Sequence, residues 1–297
     1  MVGVAFGVTT MAAWGYALLD SKWNTPQIVM ELGLGSSSGV LIDGSASWNA
    51  SAEDALATWN QYLANVQFAV VRNSSVTPGD GDNVNNVFFD STFYGSGFGS
   101  AVAITTEWTR NGGRTRIEAD TVFNSNLSWN SYRGDLRNAA GGGTLYDLHR
   151  VALHEFGHTL GLDHPDDFGQ SVKAIMNSRV SNIDSLQPDD IRGAQAIYGA
   201  NLSSSRAAFS RPARNTVSTG ASRYLLRGTA DPVQVNAVFV TNSRYGVRRY
   251  FKAKGLNRWK LSIPLRPGRN VIRLYVSTPT QLRVKVAKRI IFRTTGN

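Results

Sequence analysis

Residues 154–164 read HEFGHTLGLDH. On a helix, His154 and His158 stand four positions apart, so both imidazoles leave one face and can share a metal ion. Glu155 lies one position on, beside the metal, where it can hold a bound water instead of acting as a ligand. Gly161 ends the helix and lets the chain turn sharply. His164, three residues later, can then return to the same metal. Three neutral imidazoles leave the fourth position of a tetrahedral zinc open for water, which is the catalytic arrangement and not the structural one. The expected chemistry is hydrolysis. Zinc lowers the pKa of its bound water toward ~7 and polarises a carbonyl. Glu155 takes the water's proton as general base and passes it to the leaving amine. The chain has four histidines, three of them in this window. The fourth, His149, falls off the shared face and reads as a bystander.

The elements that must carry these residues are partly legible. Thr144 with Asp147, after Gly141-Gly142-Gly143, has capping-box spacing and predicts a helix from about Thr144 to Leu160. Ser51 with Asp54 predicts another helix, in which Ala55, Leu56, Trp59, Tyr62 and Leu63 recur at helical spacing. Pro188 opens a third, with Asp189 and Asp190 in its positive first turn and Gly199 at its end. Gln67 to Arg72, Asn86 to Phe89, Ser100 to Thr106 and Thr115 to Phe123 read as strands, separated by Gly- and Asn-rich loops. The order implies an α+β fold.

The chain has 297 residues and no cysteine, which excludes disulfide scaffolds, thiolate metal sites and cysteine nucleophiles. Its charge divides sharply. Residues 1–200 carry 11 Lys+Arg and 20 Asp+Glu, a net of −9; residues 201–297 carry 20 Lys+Arg and one acid, a net of +19. We therefore expect two separable parts: 21–200, a linker at 201–222, and a basic β-sandwich at 223–297 with runs at Val233 to Thr241, Trp259 to Leu265, Asn270 to Ser277 and Leu282 to Phe292. Residues 1–20 are an apolar stretch ended by Asp20. They read as a signal segment lacking a basic start, as the first strand region, or as a membrane anchor.

At HEFGHTLGLDH, followed twelve residues later by Met176 in AIMN, the chain resembles the metzincin metallopeptidases, whose third histidine is followed by a methionine turn. It is most similar to the matrixins. SLQPDDIRGAQAIYG at Ser185 to Gly199 resembles their last helix, and Ala55 to Phe68 their first helix and next strand. The resemblance covers roughly residues 20–200. It implies a twisted mixed sheet over helices with a long active-site helix, and a zinc in a cleft. It also implies a substrate laid antiparallel to an edge strand, here around Ser100 to Thr106. Met176 would floor the metal without ligating it. Asp189 and Asp190 either tie the last helix to the methionine turn or only complement the helix dipole. The departures are informative. Animal matrixins bind a structural zinc through further histidines; here the matching position is Val122, and one zinc with no second is expected. Loop calcium is open through Asp80, Asp82 and Asp90, which are otherwise solvated turn acids. The latency cysteine is absent. Asn177-Ser178-Arg179-Val180 replaces the usual pocket wall, so specificity does not carry over. Ser178, where serralysins and astacins place a ligating Tyr, argues against those branches.

The C-terminal part resembles bacterial immunoglobulin-like modules of exported enzymes, through Trp259-Lys260-Leu261 and Leu265 to Asn270. Arg248, Arg249, Lys252 and Lys254, with Tyr250 and Phe251 between them, form one basic cluster. Arg283 and Lys285, alternating with Leu282, Val284 and Val286, form another. Either these bind an anionic polymer or cell surface, or they are a solvated Arg-rich sheet face. No base-reading motif points to a specific nucleic acid. The function expected is a secreted zinc endopeptidase cleaving extracellular proteins. The alternative is a surface-attached binding protein on a catalytically silent metzincin scaffold, against which the intact Glu155 argues.

Overall fold

A computed structural model describes residues 15–37, 39–201, 207–232, 234–246, 249–278 and 283–294. Most of the apolar N-terminal stretch, together with Val233, Arg248 and Leu282, lies outside the described residues. Among those described, no helix is long and apolar enough to cross a membrane.

The N-terminal part is built on a twisted sheet of β1 (Gln27–Leu32), β2 (Gln67–Arg72), β3 (Asn85–Asp90), β4 (Ala103–Arg110) and β5 (Thr115–Asn124). Strand order is β4-β5-β3-β1-β2, with the short strand Lys22–Trp23 also parallel to β5; all neighbours run parallel except β4, which is antiparallel to β5 and among the described residues pairs with no other strand. The edge expected around Ser100 to Thr106 is thus β4. Three helices follow the chain: α1 (Trp48–Asn60), α2 (Leu148–Leu160) and α3 (Pro188–Tyr198). Leu56, Trp59, Leu148, Leu153 and Phe156 share one core with Met30, Leu32 and Phe123 of the sheet. Indole Nε1 of Trp59 donates to the Leu153 carbonyl at 3.0 Å, so the two helices are joined by a hydrogen bond inside that core.

Two helix starts differ from expectation. Helix α1 begins a turn early, because the Ser47 hydroxyl caps Ala50 N at 3.1 Å. The Ser51 hydroxyl is buried instead against Ser131, at 2.6 Å. Residues Thr144–Asp147 are not helix but a strand, parallel to Ser128–Asn130 and antiparallel to Arg137–Asn138. The glycines before it form a hairpin turn, with Gly142 and Gly143 at φ 91° and 77°, and Asp147 occupies the N-cap position of α2.

The end of α2 is where the fold serves the histidines. A helix leaves its last carbonyls without partners. Here each is met by a group from elsewhere. Arg116 Nη1 donates to the carbonyls of His158 and Thr159. Trp23 Nε1 also donates to Thr159 O, at 2.7 Å, and Tyr198 OH to Leu160 O, at 2.8 Å. Leu19 N donates to Gly161 O at 2.9 Å, and Ala17–Leu18 pair antiparallel with Leu162–Asp163. Gly161 sits at φ +101°, and a Cβ there would come within 2.9 Å of the Ser21 carbonyl. Arg116 is itself held by the Ser21 hydroxyl and the Glu107 carboxylate. Residues 17–23 therefore brace the turn that joins His158 to His164.

The C-terminal part has its own core. Strands β6 (Ala207–Arg211), β8 (Arg223–Ala230) and β10 (Trp259–Pro264) form one sheet. The other has β7 (Thr216–Thr219), β12 (Val284–Arg293), β11 (Gly268–Ser277) and β9 (Ala237–Asn242), in that order, with Phe251–Lys252 outermost. Trp259, Leu226, Ile272, Leu274 and Ile291 fill the space they enclose. The linker expected at 201–222 is corrected. β6 pairs with β8, and β7 lies parallel to β12, so Ala207–Arg211 and Thr216–Thr219 within that segment belong to the sheets. The two parts also touch: buried Gln195 of α3 donates to Gln234 at 3.0 Å.

Two outcomes test this bracing. Arg116→Met leaves two carbonyls of α2 short of a donor and Glu107 without its cation. It is expected to cost about 3–5 kcal/mol and to weaken zinc retention at least tenfold in chelator competition, with Arg116→Lys intermediate; unchanged zinc affinity would refute the brace. Gly157→Ala places a Cβ at 2.2 Å from Met176 Sδ. It should lower stability by about 1–3 kcal/mol, read by thermal unfolding.

Candidate metal centre

Helix α2 presents His154 and His158, and the braced turn returns His164 to them. The three Nε2 atoms lie 3.0, 3.0 and 3.1 Å apart. Each Nδ1 is occupied: His154 donates to Ile175 O at 2.8 Å, His158 to Leu162 O at 2.9 Å, and His164 lies 3.0 Å from the Asp167 carboxylate. With the proton on Nδ1, every Nε2 carries a lone pair into the same point. Burial pushes His154 down to about 4. Burial and the two neighbouring imidazoles hold His158 well below the usual value. Three facing lone pairs repel unless a cation lies between them, and the spacing is near the ~3.3 Å edge expected for tetrahedral zinc. The donor set fits that ion. Among the described residues this is the group of His, Asp and Glu side chains that converges as metal ligands do.

Glu155 is buried beside the trio and accepts from Thr105 Oγ1 of β4 at 2.7 Å. Burial pushes its carboxyl up to about 7 against that hydrogen bond. Met176 is 2% exposed and packs under α2, its sulfur filling the space that Gly157 leaves empty. Asp190 accepts from Ile175 N at 2.9 Å and Met176 N at 3.1 Å, so it links α3 to the methionine turn, and Ile175 in turn holds His154. It also accepts from Gln187 N at 2.7 Å, which caps α3. Asp189 makes none of these contacts; it lies against Gly15.

An open cleft of about 1090 Å³ runs past the histidines, between β4 on one side and Ser178 to Ile183 on the other, with Arg150 and Val151 of α2 in its wall. Ser178 lines the cleft with both its N and its hydroxyl held by Asp166 at 2.8 Å, and it is not part of the converging ligand group. His149 is on another face of α2, buried, 3.0 Å from Asp54. Val122 packs with Phe88 and Phe98 in a small apolar cluster. Asp82 and Asp90 each cap their own turn, at Val84 N and Thr92 N, and with Asp80 they do not converge as metal ligands do.

Sequence reasoning missed Thr105, Arg116, Trp23 and Tyr198. They approach the centre from strands and helices distant along the chain, and no local spacing marks them. The basic C-terminal candidates are divided. Lys252, Arg283 and Lys285 share the outer face of the five-stranded sheet; Arg249 stacks on Tyr245 and Phe251 at the other side, and Lys254 pairs through its backbone with Lys260.

The sequence model of the matrixins, peptidases of family M10, matches residues 42–199, more than half of the chain. Interstitial collagenase from Equus caballus is 43% identical over 86 residues, 28% of this chain and 15% of that protein. Interstitial collagenase from Bos taurus is 52% identical over 85 residues, again 28% and 15%. Metalloendoproteinase 5-MMP from Arabidopsis thaliana is 43% identical over 81 residues, 26% and 21%. The likeness thus spans a small share of those relatives' own length. The match over residues 42–199, with three convergent imidazoles above a methionine turn, makes this chain a member of the matrixin family.

Proposed function

We propose that the chain is a zinc-dependent endopeptidase that hydrolyses peptide bonds in extracellular proteins. The observation that carries this reading is the convergence of three Nε2 lone pairs with one buried carboxylate, Glu155, at the floor of an open cleft. His154, His158 and His164 hold the ion, which when bound supplies Lewis acidity that acidifies water and polarises a peptide carbonyl. Glu155 takes a proton from the attacking water and delivers it to the leaving nitrogen. A carboxyl raised to about 7 by burial is suited to both transfers near neutral pH. Thr105 fixes the orientation of that carboxylate. β4 has a free edge above the histidines, and an extended polypeptide adds to it antiparallel as a further strand. Met176 and Asp190 keep the floor and the His154 anchor in place.

The family resemblance also supports export and an extracellular substrate. We assign the basic β-sheet part, read as an immunoglobulin-like module, to anchoring on an anionic polymer and not to chemistry, because all metal ligands lie before residue 165.

Purified protein is expected to hold about one zinc per chain by metal analysis and to lose casein cleavage on chelation. Glu155→Ala should keep the zinc and lose activity by roughly three orders of magnitude or more. His158→Ala should lose both. A Glu155→Ala protein with near-normal turnover would remove the assigned base, and a zinc-free, fully active protein would remove the whole reading.

A further inference from the structure

The five-stranded sheet carries an ordered basic row on its outer face. Lys252, Phe239, Tyr275 and Lys285 stand opposite one another on four consecutive strands. Directly opposed residues share a face. Val238, Val240, Leu274 and Val276, which alternate with them, are buried in the core. The Arg283 guanidinium lies over the Tyr250 ring at 4.6 Å and over Phe239 at 5.6 Å. Tyr250 packs edge-on to Tyr275, with centroids 5.2 Å apart. Arg283, Lys252 and Lys285 are exposed, and among the described residues none has a carboxylate at ion-pair distance. Asp231 is the one acid in residues 201–297.

This arrangement differs from a loosely solvated charge run. The planar face of Arg283 rests on aromatic rings, which fixes the side chain without neutralising it. Its N–H edge remains for a ligand, flanked by two ammonium groups. Three strand-to-strand steps of ~4.8 Å set the two lysines about 14 Å apart, a span that meets several successive anionic groups of an extended polymer. A second basic pair, Arg273 opposite Lys288, lies in the adjoining row.

We propose that this row is a binding site for an acidic polysaccharide bearing sulfate or uronate groups. The proposal rests on the anionic-anchor reading and gives it a place and a ligand. A single-stranded nucleic acid is disfavoured because Arg283 covers the ring of Tyr250, which removes a stacking platform for bases. A membrane is disfavoured because the row presents no fully exposed apolar side chain to enter a bilayer.

The test uses the full chain at 0.15 M NaCl against three probes: heparin, an oligodeoxythymidine of matched charge, and phosphatidylserine vesicles. The variants are Arg283→Gln/Lys252→Gln/Lys285→Gln, and Arg249→Gln/Arg266→Gln on the other side. Retained casein cleavage and an unchanged unfolding midpoint show that each is folded; Arg283→Lys alone, which keeps the charge and loses the stacked fork, serves if the triple variant does not fold. Heparin is expected to bind tightest. Its Kd should rise about tenfold in the triple variant, severalfold in Arg283→Lys, and not in the Arg249/Arg266 pair. Equal heparin affinity of triple variant and parent overturns the location while leaving the anchor reading standing. No heparin binding by the parent overturns both. Oligodeoxythymidine or vesicles bound as tightly as heparin, and lost in the triple variant, overturn the polysaccharide assignment.

Discussion

A helix that donates two metal ligands has to stop almost at once, so that the chain can reverse and deliver the third. That stop exposes carbonyls that the helix can no longer pair, in a place that must stay dry and rigid. The fold answers with donors from three distant regions: Arg116 from the second strand of a hairpin, Trp23 and Leu19 from near the N-terminus, and Tyr198 from the last helix. A fifth donor is a ligand itself, since His158 Nδ1 closes on Leu162 O. Ligand orientation and helix termination are thus one hydrogen-bond network. Leaving any of these buried acceptors unpaired would cost on the order of 1–3 kcal/mol each.

The same network explains a buried arginine under the centre. Arg116 is 2% exposed, and burial depresses it to about 10, so it remains a cation at neutral pH. Two carbonyls, a hydroxyl and a carboxylate surround it. A buried pair of this kind adds little net stability compared with an apolar filling, but removing one partner is severe. Its value here is geometric, because Arg fixes two carbonyls of the turn at once. On the other side of the helix, Gly157 admits the Met176 sulfur, and Asp190 carries the methionine turn to His154. The metal point is held from both sides.

What could be read from residues alone follows the range of the forces involved. HEFGHTLGLDH and Met176 are local patterns, and their geometry depends on helical spacing and one glycine turn. The three helices and four of the five long strands of the N-terminal part were visible through periodicity; β1, Gln27–Leu32, was not. The start of α2 was not, because Thr144 and Asp147 have cap spacing while the preceding glycines close a hairpin that keeps Thr144–Asp147 extended. Residues 201–222 read as linker because their composition is small and polar; their pairing partners lie elsewhere, Ile290 for Thr216 and Ala230 for Ala207. The basic clusters were visible as charge. Sorting Arg283 from Arg249 required the sheet register, which decides which side chains share a face.

The brace made by residues 17–23 also has a consequence in time. Trp23 is 136 residues ahead of Thr159 and 175 ahead of Tyr198 along the chain. At a synthesis rate of ~5–20 residues per second, the earliest-made part of the site waits on the order of ten seconds or more for its partners to leave the ribosome. Until α3 emerges, the turn before His164 lacks its last donor. A nascent chain therefore carries the histidine motif across the 38 residues from Leu160 to Tyr198 before the last donor of that brace exists, and the three-histidine centre is fully held only once α3 is made.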